Sequence, residues 1–170
     1  MAASSTGSIR FVALGVTPDV DWLADSGLEV AGGVRCDASG QTSVPGVYAV
    51  GDVAQWRHPL ARAHRRIEHW RSAGEQAAAV AATILVSEAP TEVSSVPYFW
   101  SDQYDVKIQC LGEPIATDTV HVVEDDGRKF LAYYERDGVV AGVVGGGMPG
   151  KVMKTRAKIA AAAPISDVLG

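Results

Sequence analysis

The segment Thr42-Ser-Val-Pro-Gly-Val-Tyr-Ala-Val-Gly-Asp52 decides how the chain is read. It starts polar, turns at Pro45-Gly46, and continues as the apolar run Val47-Tyr48-Ala49-Val50 before Gly51-Asp52. The run is too short for a helix and rich in β-branched and aromatic residues, so it predicts a buried strand over 47–50. A carboxylate directly after a buried strand is costly to desolvate unless a partner hydrogen-bonds it. In α/β sheets ligands bind at the carboxyl ends of strands, which makes Asp52 a candidate for a ligand hydroxyl. Gly51, lacking a Cβ, lets a ligand come close to the backbone. The plain alternative is an Asp that caps the next turn.

Thr42, Val47, Tyr48, Ala49, Gly51 and Asp52 together resemble the second FAD-binding motif of two-dinucleotide-fold flavoprotein reductases. In that motif the Asp holds a ribityl hydroxyl of FAD, and the resemblance implies this role for Asp52. A second segment, Pro97-Tyr-Phe-Trp-Ser-Asp-Gln-Tyr104, resembles the signature that opens the C-terminal domain of ferredoxin-reductase-like flavoproteins. That family includes reductase components of oxygenase systems and relatives of apoptosis-inducing factor. There the Trp lies beside the isoalloxazine, which implies Trp100 as a flavin wall, supported by Asp102 and Gln103. Apart from the resemblance, the same residues read as an aromatic cluster in an ordinary core.

Composition sets outer bounds. The 170 residues suffice for one domain or two small ones, and 47% of them are hydrophobic. A formal net charge of −5 gives nucleic-acid binding no support. Cys36 and Cys110 form no Cys-x-x-Cys pair and read as buried free thiols. No apolar run reaches the ~18–20 residues that a membrane helix requires. Met1 to Ser8 lacks the pattern of a signal peptide and reads as a disordered leader or tag. A cytoplasmic protein is the expectation.

In chain order, Ile9 to Val16 predicts a strand ending at Gly15. Pro18 then opens a short helix anchored by Trp22 and Leu23 and ending near Gly27. This strand-Gly-x-x-Pro segment resembles the place where the family's chain returns from its NAD domain to its FAD domain. A short strand is expected over 33–37 and a turn at Ala38-Ser39-Gly40. Val53 to Leu60 reads as a loop, and a long helix is expected from about Ala61 to Val86. Arg66 to Trp70 also resembles the family, whose helix start faces the flavin pyrimidine edge. A helix amino terminus offers free N–H groups and partial positive charge, suited to the negative charge of a reduced flavin. The cofactor-binding set implied by the resemblance is therefore Gly51, Asp52, Val53, Glu68, His69, Trp70 and Trp100. The bland reading of the helix is an amphipathic element with solvated charges. His64 and His69, five apart, do not share a helix face, so a metal pair is disfavoured.

Ser87 to Val96 is a polar linker. Strands are expected over 106–111, 119–124, 129–135 and 139–144, with a hairpin about Asp125-Asp126-Gly127 and a closing helix from Lys151 to Ala163. Gly145 to Lys151 fits a Gly-x-x-x-x-Gly-Lys phosphate loop, but Val152 stands where Ser or Thr is needed, so a Gly-rich turn is the preferred reading. The expected fold is the α/β tail of an FAD-binding Rossmann-like domain (9–90), followed by a small α+β antiparallel-sheet domain (91–170).

The resemblance covers about residues 9 to 170 but only the carboxyl-terminal part of the family pattern. The glycine loop for the FAD pyrophosphate and the NAD domain are not found in the sequence. What it implies is part of an FAD-dependent NAD(P)H:ferredoxin oxidoreductase, incomplete and inactive alone, with an iron–sulfur ferredoxin as electron acceptor. The alternative is a non-catalytic dimerisation or protein-docking module derived from such a reductase.

Overall fold

The computed structural model describes residues 15–58, 63–85 and 96–170. The leader, most of the strand expected over 9–16 and most of the linker lie outside the described residues.

The first half is built on a three-stranded sheet. Strand β1 (Val34–Cys36) pairs in parallel with β2 (Ala54–His58), which pairs antiparallel with β3 (Ala63–Arg65). Helix α1 (Trp70–Leu85) packs on this sheet through Ser72, Gln76, Ala79 and Val80, spaced to share one face. The core beneath it joins Leu23, Val34, Cys36, Ala54, Trp56, Ala79 and Val80.

Three expectations are corrected here. Residues 54–58 form a strand and not a loop. Ala54, Trp56 and His58 alternate inward while Gln55 and Arg57 are less buried, a period-2 pattern hidden by polar residue types. The charged segment before α1 does not begin the helix. Residues 63–65 are taken up by pairing with β2, tertiary pairing overriding helix propensity, and the carbonyl of His69 accepts the first helical bond, from Ala73 at 3.2 Å. Residues 47–50 do not form a strand either. They are extended, with one bridge between Gln41 and Tyr48, and Val47 and Val50 are exposed. The carbonyl of Ala49 is drawn instead to the indole N–H of Trp56 at 2.8 Å.

The Pro45-Gly46 turn is as read: Val47 N–H reaches Val44 O at 3.1 Å, with Gly46 at φ 77°. The turn at 38–40 is also present, with Asp37 accepting from Ser39 N–H at 2.8 Å and Gln41 N–H at 3.0 Å. The helix expected after Pro18 is a single 3-10 turn, Asp21–Leu23, with Leu23 buried.

The second half is a five-stranded antiparallel sheet. Its strands are β4 (Tyr98–Gln103), β5 (Val106–Gly112), β6 (Thr119–Asp125), β7 (Phe130–Arg136) and β8 (Val139–Gly146), in the spatial order β4-β5-β8-β7-β6. One face is covered by α2 (Pro149–Lys154) and α3 (Arg156–Ala160), with α4 (Ser166–Leu169) following. Val96, Leu111, Leu131, Tyr133, Val140, Val143, Val152 and Ile159 make the core. The hairpin about Asp126 forms as expected, its carboxylate taking the amides of Arg128 and Lys129. The single closing helix is instead broken at buried Thr155, whose hydroxyl bonds back to Lys151 O at 3.1 Å; such back-bonding bends helices.

The glycines before α2 serve packing. A Cβ on Gly145 would stand 2.6 Å from the Val152 side chain, and one on Gly146 2.5 Å from the Phe130 ring. Lys151 is paired with Glu124. These contacts support the Gly-rich strand-to-helix reading over a phosphate loop.

Candidate functional site

Asp52 sits in a 3-10 turn, Gly51–Val53, that leads directly into β2. The turn is anchored at both ends. Gly51 N–H donates to Gln76 Oε1 of α1 at 2.8 Å, and Arg66 Nη1 donates to the Asp52 carbonyl at 3.3 Å. The Asp52 carboxylate is exposed and takes no hydrogen bond among the described residues. It lines a hollow of about 250 Å³ with Val16, Thr17, Pro18, Val53, Arg66 and Glu68. Burial of Asp52 against Arg62 or Arg65 would speak against a ligand role; Arg65 instead reaches His64 O, and Arg62 lies outside the described residues.

Arg66 and Glu68, paired with each other, also line a second hollow of about 390 Å³. Its further walls include His69, Phe99, Glu113 and Pro114. The two hollows therefore adjoin, running from the 16–19 segment past Asp52 and the α1 start to the edge of the second sheet. The His69 ring rests on Phe99, with centroids 5.1 Å apart and planes inclined at 50°. Burial pushes the His69 imidazole below its ordinary value, against the opposing pull of Glu113, Asp52 and Glu68. Its Nδ1 is screened from solvent and has no hydrogen-bond partner among the described residues.

The structure thus gathers Asp52, Val53, Glu68 and His69 along one crevice, with the Gly51 amide fixed behind it. Trp70 stands at the first position of α1, 90% exposed. Trp100 is placed differently from the expectation. Its ring stacks on Tyr98 at 5.7 Å, with Lys107 Nζ 5.8 Å from its centre, on the opposite face of β4 from Phe99. Neighbouring strand residues point to opposite faces, so Phe99 and Trp100 cannot both line the crevice. Asp102, on the Trp100 face, pairs with Lys107 at 3.4 Å, whereas Gln103, on the Phe99 face, donates to Ser101 Oγ at 2.6 Å.

Phe99, Arg66 and Glu113 are lining residues that the sequence reading did not single out. Alternation along 98–103 was a usable signal for Phe99. Glu113 had none, because the end of β5 reaches the crevice only through the arrangement of the two sheets.

Residues 6–77 match the pyridine nucleotide-disulphide oxidoreductase family model, and residues 98–169 match the reductase C-terminal model. The chain is 37% identical over 132 residues to the ferredoxin–NAD(P)(+) reductase fdr of a Sphingomonas species, covering 76% of this chain and 31% of that protein. It is 38% identical over 117 residues to the ferredoxin–NAD(+) reductase component of the anthranilate 1,2-dioxygenase system of Burkholderia cepacia, covering 69% and 28%. It superposes on the reductase of a covalent putidaredoxin reductase–putidaredoxin complex with a TM-score of 0.82 and 30% identity, over 92% of this chain and 37% of that one. The chain spans about a third of the length of these relatives.

Proposed function

Because the chain corresponds to the carboxyl-terminal portion of a ferredoxin-reductase-like flavoprotein, we propose that it supplies one wall of the FAD site of an NAD(P)H:ferredoxin oxidoreductase. The observation that carries this reading is the unpaired, exposed Asp52 carboxylate on a crevice that continues past the α1 start to an aromatic wall. The residues fit such a group. A free carboxylate suits a ligand hydroxyl, the partnerless Nδ1 of His69 suits a polar ring, and Phe99 offers a flat apolar surface.

Asp52 binds a ribityl hydroxyl, while Gly51 and Val53 keep the backbone close. Glu68, His69 and Trp70 set the start of α1 against the pyrimidine edge, where its free N–H groups stabilise negative charge. Phe99 closes the end of the crevice. Trp100, with Asp102, shapes the approach of an electron acceptor on the other side of β4, and Gln103 supports the Phe99 side. FAD, when bound, takes a hydride equivalent from NAD(P)H and passes single electrons to an iron–sulfur ferredoxin. The residues of this chain bind, orient and shield it. A cytoplasmic location fits this reading.

The test is a visible absorption spectrum of the purified chain after adding FAD and dialysing. Flavin absorbance retained by the native chain and lost in Asp52→Ala supports the reading. A folded chain that stays colourless at every FAD concentration contradicts it. No NADH-dependent activity is expected of the isolated chain.

A second reading, a dimerisation or docking module, is favoured by one observation. Edge strand β6 exposes Val120, Val122 and Val123. A mass in solution that remains monomeric at high concentration would remove the homodimer form of it.

A further inference from the structure

His69 is a titratable group with a place in the crevice and no chemistry yet attached to it. It is half-buried, its Nδ1 lacks a partner, and its ring is held by Phe99 of β4. Its backbone carbonyl opens α1. Charged groups face it from three places: Glu113 at the end of β5, Asp52 in the turn before β2, and Glu68 and Arg66 from its own segment. Arg66 is already paired with Glu68. Burial holds the imidazole below its ordinary value against the pull of the three carboxylates. Such a ring takes a proton when further negative charge arrives beside it.

The geometry points to His69, seated between Phe99 and Glu113, as the residue that takes up a proton when negative charge develops on the ligand at the start of α1. The inference rests on the flavin reading above and concerns how this site balances charge. The proton passes from solvent to the imidazole. No bond between protein and ligand forms or breaks. His69 is thereby a positioning and charge-balancing residue that would make the site's preference for reduced over oxidised ligand depend on pH.

The experiment follows the imidazole nitrogens of the whole chain, labelled with ¹⁵N-histidine, by NMR between about pH 5 and 8. Three states are compared: the chain alone, with excess FAD, and with FAD reduced anaerobically by dithionite. The midpoint of His69 is expected below about 6.5 in the chain alone. Oxidised FAD should leave it low, and reduction should raise it by about one unit or more, a tenfold gain in proton affinity. His69→Gln should remove the pH dependence of the ratio of reduced to oxidised FAD affinity, whatever it does to the affinities themselves. If FAD binds in an Asp52-dependent way but reduction leaves the His69 midpoint unmoved, this inference alone is overturned. If no FAD binds, it falls together with the flavin reading.

Discussion

The amide of Gly51 donates to the side chain of Gln76 at 2.8 Å, so the turn that carries Asp52 hangs from the middle of α1. Gln76 is buried among the residues that seat the helix on the sheet. This bond between residues 25 apart in sequence fixes the turn together with the Arg66 bond to the Asp52 carbonyl. Gln76→Ala should cost about 1–3 kcal/mol, because it strands a part-buried N–H. Urea unfolding would measure this loss. In the flavin reading the same variant also weakens FAD retention by displacing Asp52. A variant as stable as the native chain would show that the turn stands without the bond.

Two glycines near this turn should respond very differently to Ala. Gly40 has φ 85°, and a Cβ there would lie 2.3 Å from the Trp56 ring and 2.8 Å from Val80. Overpacking and left-handed strain add, so Gly40→Ala should cost about 3 kcal/mol or more. At Gly46 nothing lies within 4 Å, and only the strain of φ 77° remains, about 1–2 kcal/mol. Thermal unfolding of the two variants should rank them in that order. Equal losses would mean that the Trp56 ring relaxes freely.

Four strands of the second sheet were legible because they carry β-rich runs separated by turn residues whose side chains do the turning, as Asp126 does, whereas β4 was not read as a strand. The first half was harder to read. In 54–58 the inward positions include His58 and the outward ones Gln55 and Arg57, so hydrophobicity did not reveal the strand. The start of α1 was misplaced because β3 draws its definition from a partner strand and not from its own sequence. Asp52 and Glu68, singled out through the family resemblance, line one hollow. Alternation along 98–103 separates Phe99 from Trp100, but which of the two faces the crevice depends on how the two sheets approach each other.

Both thiols should be silent in the native chain. Cys36 and Cys110 are buried, and desolvation pushes them up to about 11 and about 12. At pH 8 the thiolate fractions are then about one in a thousand and one in ten thousand. A disulfide reagent should release almost nothing from the folded chain within minutes and two equivalents in denaturant. Rapid release from the native chain would require opening of the first core or of the packing that buries Cys110.

The most acid-sensitive contact is expected between Asp118 and Arg136. The Asp118 side chain is 1% exposed and accepts from Arg136 Nε at 2.7 Å and Nη2 at 2.9 Å, with Ile115 N–H at 2.9 Å. Arg136 also donates to the Glu113 carbonyl at 2.8 Å, so the pair fixes the end of β5 where Glu113 meets the crevice. The Arg136 hydrogen bonds, with that from Ile115, hold the Asp118 carboxyl below its ordinary value. A carboxyl lowered by folding adds stability that is fully present above its unfolded value. That contribution is lost as pH falls through the folded value. The native chain should therefore lose stability below about pH 4. Asp118→Asn should be less stable at neutral pH by about 1–3 kcal/mol, since it gives up hydrogen bonds to a charged group. It should also lose this share of the acid-side decline. Urea midpoints at pH 7 and pH 3 for both proteins decide the matter. If the variant falls by the same amount between the two pH values as the native chain, the acid sensitivity lies elsewhere.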